Sequence, residues 1–273
     1  MTILITGATG TVGRHLVQQL TEAGHEVRAL TRDPATAELP AGVEVVAGDL
    51  TDPATLPLAF DGVTAVHLIT FGGSDGAPLT TGAELVRLAS RAGVRRVTVL
   101  GGWEESTVEP ALRASDLGWT SLEPVEFMSG ALEWVGSVRE HGAVRLMAGW
   151  ASAVVHEADI AAVARVALTE DGHAGMTYPI TGPQALTPAE RARLLGTAAG
   201  RHIGFEQLTE EQERERLRAY GYPEEYVEFG IQLATQPPEQ AAVVHPTVER
   251  VTGRAARTFA QWAQEHADAF RGA

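Results

Sequence analysis

The apolar positions open with a run of three, Ile3, Leu4 and Ile5, of the kind a strand buried on both faces shows. Val12, Leu16, Val17 and Leu20 then recur at helical spacing, with Arg14, Gln18, Gln19 and Glu22 on the opposite face and Gly24 as the stop. Val27, Ala29 and Leu30 mark a second strand, residues 43–47 a third, 65–69 a fourth and 97–100 a fifth. Between them the pattern predicts a helix opening at Asp52-Pro53 and a long one over 79–92. Strands alternating with helices over short connections imply right-handed crossovers, so the chain reads as α/β with a doubly wound parallel sheet.

Past Pro124 the pattern changes. Phe127, Met128, Trp134, Met147 and Trp150 make an aromatic and flexible stretch, and residues 160–166 a further helix headed by His156 and Asp159. Beyond Pro188 the chain is helical and charged. Residues 209–219 open on a capping box of Thr209 and Gln212 and carry the i,i+4 pair Glu210 and Arg214. Tyr220, Tyr222, Tyr226 and Phe229 follow as an aromatic cluster, read either as a lid or as packing under a C-terminal helix over 255–270. The expected organisation is a dinucleotide-binding core over 1–150. Residues 151–273 then complete the sheet and add a small, mostly helical substrate or lid region within one compact unit.

The turn between the first strand and helix carries the candidate chemistry. Gly7 permits a tight turn, Gly10 lets backbone N–H groups approach a pyrophosphate, and Gly13 lets helix and strand pack closely. The helix N-terminus then faces the phosphates, so this reads as a Rossmann dinucleotide site with Thr9, Thr11 and Val12 beside the glycines. Arg32, at the end of the second strand, sits where a guanidinium meets a ribose 2′-phosphate, which favours NADP(H) over NAD(H). Arg14 can assist from the turn, and Asp33 either repels that phosphate or points away. Asp49, followed by Leu50, is placed to accept from the adenine amino group or serves a turn. Ile69, Thr70 and Phe71 end the fourth strand beside the cofactor, and Pro124 is a further cofactor candidate.

Composition narrows the chemistry. There is no cysteine, and all basic residues are arginine, so thiolate nucleophiles, Schiff bases and lysine-assisted catalysis are excluded. The bias fits a GC-rich bacterial genome. A net charge of -14 disfavours nucleic acid and anionic membrane as partners. No stretch has spanning length, so a cytoplasmic protein is expected, with a homodimer left open. The histidines show no metal-ligand spacing.

Several motifs carry a family resemblance. Residues 6–13 (TGATGTVG), 28–34 (RALTRDP), 48–50 (GDL), 112–124 (LRASDLGWTSLEP) and the late segments 168–175 and 178–183 resemble the NmrA-like group of atypical short-chain dehydrogenases/reductases. The resemblance implies an NADP(H)-binding domain with a small C-terminal substrate region, in members that are quinone-type reductases or redox-sensing regulators. Members of the wider superfamily place a serine after the fifth strand and a Tyr-x-x-x-Lys pair on the next helix. This chain has Gly101-Gly102 there, its four tyrosines (Tyr178, Tyr220, Tyr222, Tyr226) lie downstream, and the tyrosine and lysine positions fall near Glu105 and Glu109.

Glu105 and Glu109, four apart, are expected on one helix face, as an acid/base pair or as dipole-stabilised acids at a helix start. Glu105, His156 and Tyr222 are the catalytic candidates, His156 also being readable as structural. Phe71, Trp103, Phe127, Met128, Trp150, Tyr222 and Tyr226 are the candidate substrate residues, lining an apolar pocket or filling core. The leading expectation is an NADPH-dependent reductase of an apolar conjugated carbonyl or quinone-like molecule, working without the Ser-Tyr-Lys set. A non-catalytic NADP(H) sensor and a specialised-metabolite tailoring enzyme stand beside it.

Overall fold

The structure, a computed structural model, describes residues 1–72, 76–102 and 104–271. It divides into two compact units. The first comprises Met1–Pro124, Glu157–Ile180 and Arg250–Gly253, and the second Val125–His156, Thr181–Glu249 and Arg254–Ala273.

The first unit holds seven parallel strands: β1 (Thr2–Ile5), β2 (Glu26–Thr31), β3 (Glu44–Ala47), β4 (Val63–Ile69), β5 (Arg96–Leu100), β6 (Gly118–Pro124) and β7 (Thr177–Ile180). Their order is β7-β6-β5-β4-β1-β2-β3, so the chain winds outward from β1 in one direction and then from β4 in the other. The doubly wound sheet expected from the sequence is therefore present, and the reversal between β1 and β4 leaves a crevice at their carboxyl ends.

Both faces are covered. On one, Leu4, Val66, Leu68, Val97 and Val99 pack with Leu85, Val86 and Ala89 of the helix Gly82–Ala92 and with Leu112 of the helix Val108–Arg113. The helix Gly13–Glu22 buries Leu16, Val17 and Leu20, as its periodicity predicts. It is tied to the helix Glu157–Thr169 by a bond from Gln19 Nε2 to the Ala158 carbonyl at 2.9 Å. At about 25 cal/mol per Å², burying each such leucine contributes about 2 kcal/mol.

Two expected helices differ. The long one starts at Gly82 instead of residue 79, because Leu79 spends its N–H on the Thr70 carbonyl and its own carbonyl on Thr107 N. Asp52-Pro53 opens a 3₁₀ turn, Pro53–Thr55, capped by the Asp52 carboxylate on Ala54 N, with the short helix Pro57–Phe60 after it.

The second unit is mostly helical, around a parallel pair of short strands, Ala143–Leu146 and Gly204–Gln207. Met128, Trp134, Val144, Leu195, Phe259 and Trp262 form its core. Arg191, almost wholly buried on the helix Pro188–Ala199, pairs with Glu126 at 2.6 Å and lies 5.0 Å from the Trp134 ring centre. The helices Glu210–Ala219 and Glu224–Thr235 form a hairpin clamped by Arg214 on Glu228 and Arg218 on Glu224, both at 2.6 Å. The capping box of Thr209 and Gln212 is formed as expected. The C-terminal helix is broken into Phe259–Glu265 and Ala267–Phe270, its start fixed by a capping box of Thr258 and Gln261. Among the described residues no helix is long and apolar enough to cross a membrane.

Candidate dinucleotide-binding site

The turn after β1 is held at both ends. Thr6 donates its N–H and Oγ1 to the His67 carbonyl at 3.0 and 2.9 Å, and Ile69 N donates to Thr6 Oγ1 at 2.9 Å, so the chain leaves the sheet at a fixed point. Gly7 has φ +62°, a left-handed conformation that side chains resist. Gly10 N closes the turn on the Gly7 carbonyl at 2.9 Å. A Cβ on Gly13 would lie 2.1 Å from that same oxygen, so only glycine lets the helix begin there. Val12 precedes the helix without a side-chain cap, and Gly10 and Thr11 are exposed. The Arg14 amide is spent on the Gly10 carbonyl at 3.1 Å, while the exposed turn at Gly10 and Thr11 ahead of the helix forms a cradle that fits a dinucleotide pyrophosphate.

The neighbouring strand ends supply the rest. Arg32, exposed, follows β2. Asp33 turns away into its own 3₁₀ turn, Oδ1 accepting from Ala35 N at 3.0 Å. Asp49 follows β3, and its Oδ1 accepts from Thr51 N at 2.9 Å and Thr51 Oγ1 at 2.8 Å. These two bonds, the backbone one foremost, hold its carboxyl below the usual carboxylate range, and the charge of Arg32 adds to the effect. Leu50 is buried, Ile69 packs against Gly7, and Thr70 Oγ1 accepts from Gly102 N at 3.1 Å. Phe71 is half-buried beside Gly102, and Pro124 ends β6. Every cofactor candidate therefore lies in the first unit, at the carboxyl ends of β1, β2, β3, β4 and β6.

Glu105 and Glu109 do not share a helix face. The helix starts at Val108, because Ser106 supplies its cap: Val108 N donates to Ser106 Oγ at 2.9 Å, while Ser106 N and Oγ donate to Glu109 Oε2 at 3.1 and 2.5 Å. Glu105 lies ahead of that cap, exposed and ion-paired with Arg113. Both carboxylates thus have local structural partners.

The remaining candidates lie in the second unit, apart from Trp103, which falls outside the described residues. His156 is buried, with Nε2 3.2 Å from Glu265. Phe127 bridges to Val155, Met128 is 1% exposed inside the core, and Trp150 is half-buried with an Nε1 that has no partner among the described residues. Tyr222 stacks on Tyr226 at 6.5 Å, and its pKa is raised, first by Glu133 and then by burial, which makes it a weaker acid than free tyrosine. The cluster of Tyr220, Tyr222, Tyr226 and Phe229 is exposed, so packing beneath the C-terminal helix is not its role.

Three features went unforeseen. Thr6 as the stitch between β1 and β4 has no local signal. The Asp33 cap does have one: Asp-Pro-Ala-Thr occurs twice, at 33–36 and 52–55, and in each copy the aspartate caps its own 3₁₀ turn. His67, wholly buried in β4, holds its Nδ1 2.8 Å from Thr98 Oγ1 while its Nε2 has no partner among the described residues, and burial pushes its pKa down to about 4. A separate cavity of about 380 Å³, lined by Arg95, Arg96, Thr120, Glu170 and His173 among others, lies at the amino ends of β5 and β6 and so at the opposite rim.

The NmrA-like family profile matches residues 1–102. An NAD(P)H azoreductase from Xenophilus azovorans is 40% identical over 284 residues, covering 98% of this chain and 99% of that protein. This chain belongs to the NmrA-like family. A second relative, the (4-alkanoyl-5-oxo-2,5-dihydrofuran-3-yl)methyl phosphate reductase of Streptomyces griseus, is also 40% identical, over 285 residues, covering 98% of this chain and 99% of its own. Among solved structures, the NADPH-dependent quinone oxidoreductase of Escherichia coli complexed with NADPH matches with a TM-score of 0.82 at 24% identity. The match covers 96% of this chain and 99% of that one. At that identity it establishes a shared fold for this NmrA-like chain, and the resemblance read from residues 6–13 and 28–34 is confirmed.

Proposed function

We propose that this NAD(P)H-dependent reductase uses NADPH in preference to NADH and reduces a small, conjugated, largely apolar acceptor of the quinone or conjugated-carbonyl kind. The cofactor preference rests on Arg32, exposed at the end of β2 with Asp33 committed to its own turn, so that a guanidinium and not the neighbouring Asp33 carboxylate is offered to a 2′-phosphate. Gly7, Gly10, Thr11 and Gly13 would hold the pyrophosphate, and Ile69, Thr70 and Phe71 would flank the nicotinamide. A bound nicotinamide supplies the hydride.

The observation that carries the substrate class is the state of Glu105 and Glu109. At the positions where related enzymes keep tyrosine and lysine, one carboxylate is paired with Arg113 and the other caps a helix through Ser106. Neither is poised to donate a proton. A conjugated acceptor suits such a chain, because hydride addition leaves a delocalised anion that solvent can protonate. The two relatives at 40% identity are named for an azo compound and for the phosphate ester of an unsaturated lactone, both conjugated.

The test is steady-state oxidation of NADPH and NADH against a panel of quinones, azo dyes and unsaturated lactones. Turnover with at least one class, faster with NADPH, is the expected result. Tight NADPH binding with no turnover on any acceptor would overturn the substrate reading.

A further inference from the structure

The guanidinium of Arg14 folds back over the glycine turn. Nη2 donates to the Thr9 carbonyl at 2.9 Å and Nε to the Gly10 carbonyl at 3.3 Å, and the Gly10 carbonyl also receives the Arg14 backbone N–H at 3.1 Å. The side chain itself is exposed, so burial does not fix it in this position; the two carbonyls do.

The consequence follows from peptide geometry. In a planar trans peptide the carbonyl of one residue and the N–H of the next point in opposite directions, and no peptide bond among the described residues is cis. Fixing the Thr9 carbonyl fixes the Gly10 N–H, which is already committed to Gly7. Fixing the Gly10 carbonyl aims the Thr11 N–H away from Arg14, at the uncapped start of the helix. Without the fork, the peptide between Gly10 and Thr11 is held only by the Arg14 backbone N–H on the Gly10 carbonyl and is freer to rotate, since Gly10 has no side chain and both residues are exposed.

We infer that Arg14 is a positioning residue for the pyrophosphate, presetting the Thr11 N–H by holding the carbonyls of Thr9 and Gly10, and that it does so equally for phosphorylated and unphosphorylated dinucleotides. This rests on the dinucleotide reading above and differs from the role given to Arg32, which senses the 2′-phosphate alone. The fork geometry is specific to arginine: a lysine ammonium carries the same charge but lacks the planar pair of donors that spans both carbonyls.

The test is calorimetric binding of NADPH, NADH and ADP-ribose to the full chain and to Arg14→Ala and Arg14→Lys, with amide hydrogen exchange on the ligand-free proteins. Both variants are expected to raise all three dissociation constants by the same factor, about tenfold, the scale of one charge-assisted hydrogen bond. Both are also expected to speed exchange at Gly10 and Arg14, whose amides are hydrogen-bonded within the same turn, while leaving the melting temperature within about 2 °C, because the group removed is exposed. The lysine variant carries the test if the alanine one does not fold. Unchanged affinities overturn the inference, as does full rescue by lysine, which would reduce Arg14 to a charge. A loss confined to NADPH overturns it too, by making Arg14 a 2′-phosphate ligand. Failure of the unaltered protein to bind any of the three ligands overturns the dinucleotide reading and this inference together, so the two failures are distinguishable.

Discussion

Gly13 brings its backbone against the carbonyl of Gly7 so closely that a Cβ there would stand 2.1 Å from the oxygen and 2.9 Å from Ala8 Cα. The obstacle is backbone, which cannot swing aside. Gly13→Ala should therefore shift the first helix relative to the turn, destabilising the protein by about 3 kcal/mol and abolishing dinucleotide binding. A melt and a calorimetric titration would show both. A variant that melts and binds like the parent would mean that the helix start is not fixed by this contact.

Arg32 discriminates the two cofactors only if its guanidinium meets the 2′-phosphate. Arg32→Ala is expected to weaken NADPH at least tenfold, as loss of a bidentate charge-assisted pair implies, and to leave NADH within about twofold. Equal losses on both would end the argument for NADPH preference.

His67 links stability to pH. Its pKa is about 4 in the folded chain, lowered by burial, against 6.5 when solvated. The unfolded state therefore takes up a proton at a pH where the native state does not. The stabilisation is complete above pH 6.5 and is lost as the pH falls from there toward 4, amounting to about 2 kcal/mol at pH 5. His67→Gln, which retains a hydrogen-bonding partner for Thr98, should flatten that part of the profile in urea melts at pH 5 and pH 7. A parallel profile for parent and variant would exclude His67 as the source.

Glu105, exposed and tied to Arg113, should be dispensable. Glu105→Gln is expected to leave kcat/KM unchanged across the pH range with any accepted acceptor. A lost limb of the pH profile would restore it as an acid.

The legible parts of the chain were those whose cause is local. The strand Ile3 to Ile5, the face of Leu16, Val17 and Leu20, and the capping box of Thr209 and Gln212 each depend on residues within a turn or two of one another, and each formed as read. The glycine turn was legible because three sites without side chains leave few alternatives. What escaped the sequence depends on distant partners. Leu79 leaves the helix pattern because Thr70 and Thr107 claim its backbone. Gly204–Gln207, four residues without alternation, becomes a strand only beside Ala143–Leu146. His156 meets Glu265 across 109 residues. The shared helix face assigned to Glu105 and Glu109 failed for a nearer reason: the helix begins only at Val108, behind the Ser106 hydroxyl that accepts from Val108 N, which leaves Glu105 outside it.

The helical hairpin has a consequence for how the protein answers its solution. Arg214 and Arg218 join its two arms through exposed carboxylates, and Tyr222 and Tyr226 sit just past the bend. Coulombic fastenings at a wetted surface fade as ions crowd in, whereas hydrophobic ones do not. Molar sodium chloride should thus loosen this limb, visible as faster amide exchange over residues 210–235 while the far-ultraviolet dichroism of the whole chain holds steady. Brine would then act as a local solvent for one appendage, leaving the sheet and its glycine turn indifferent.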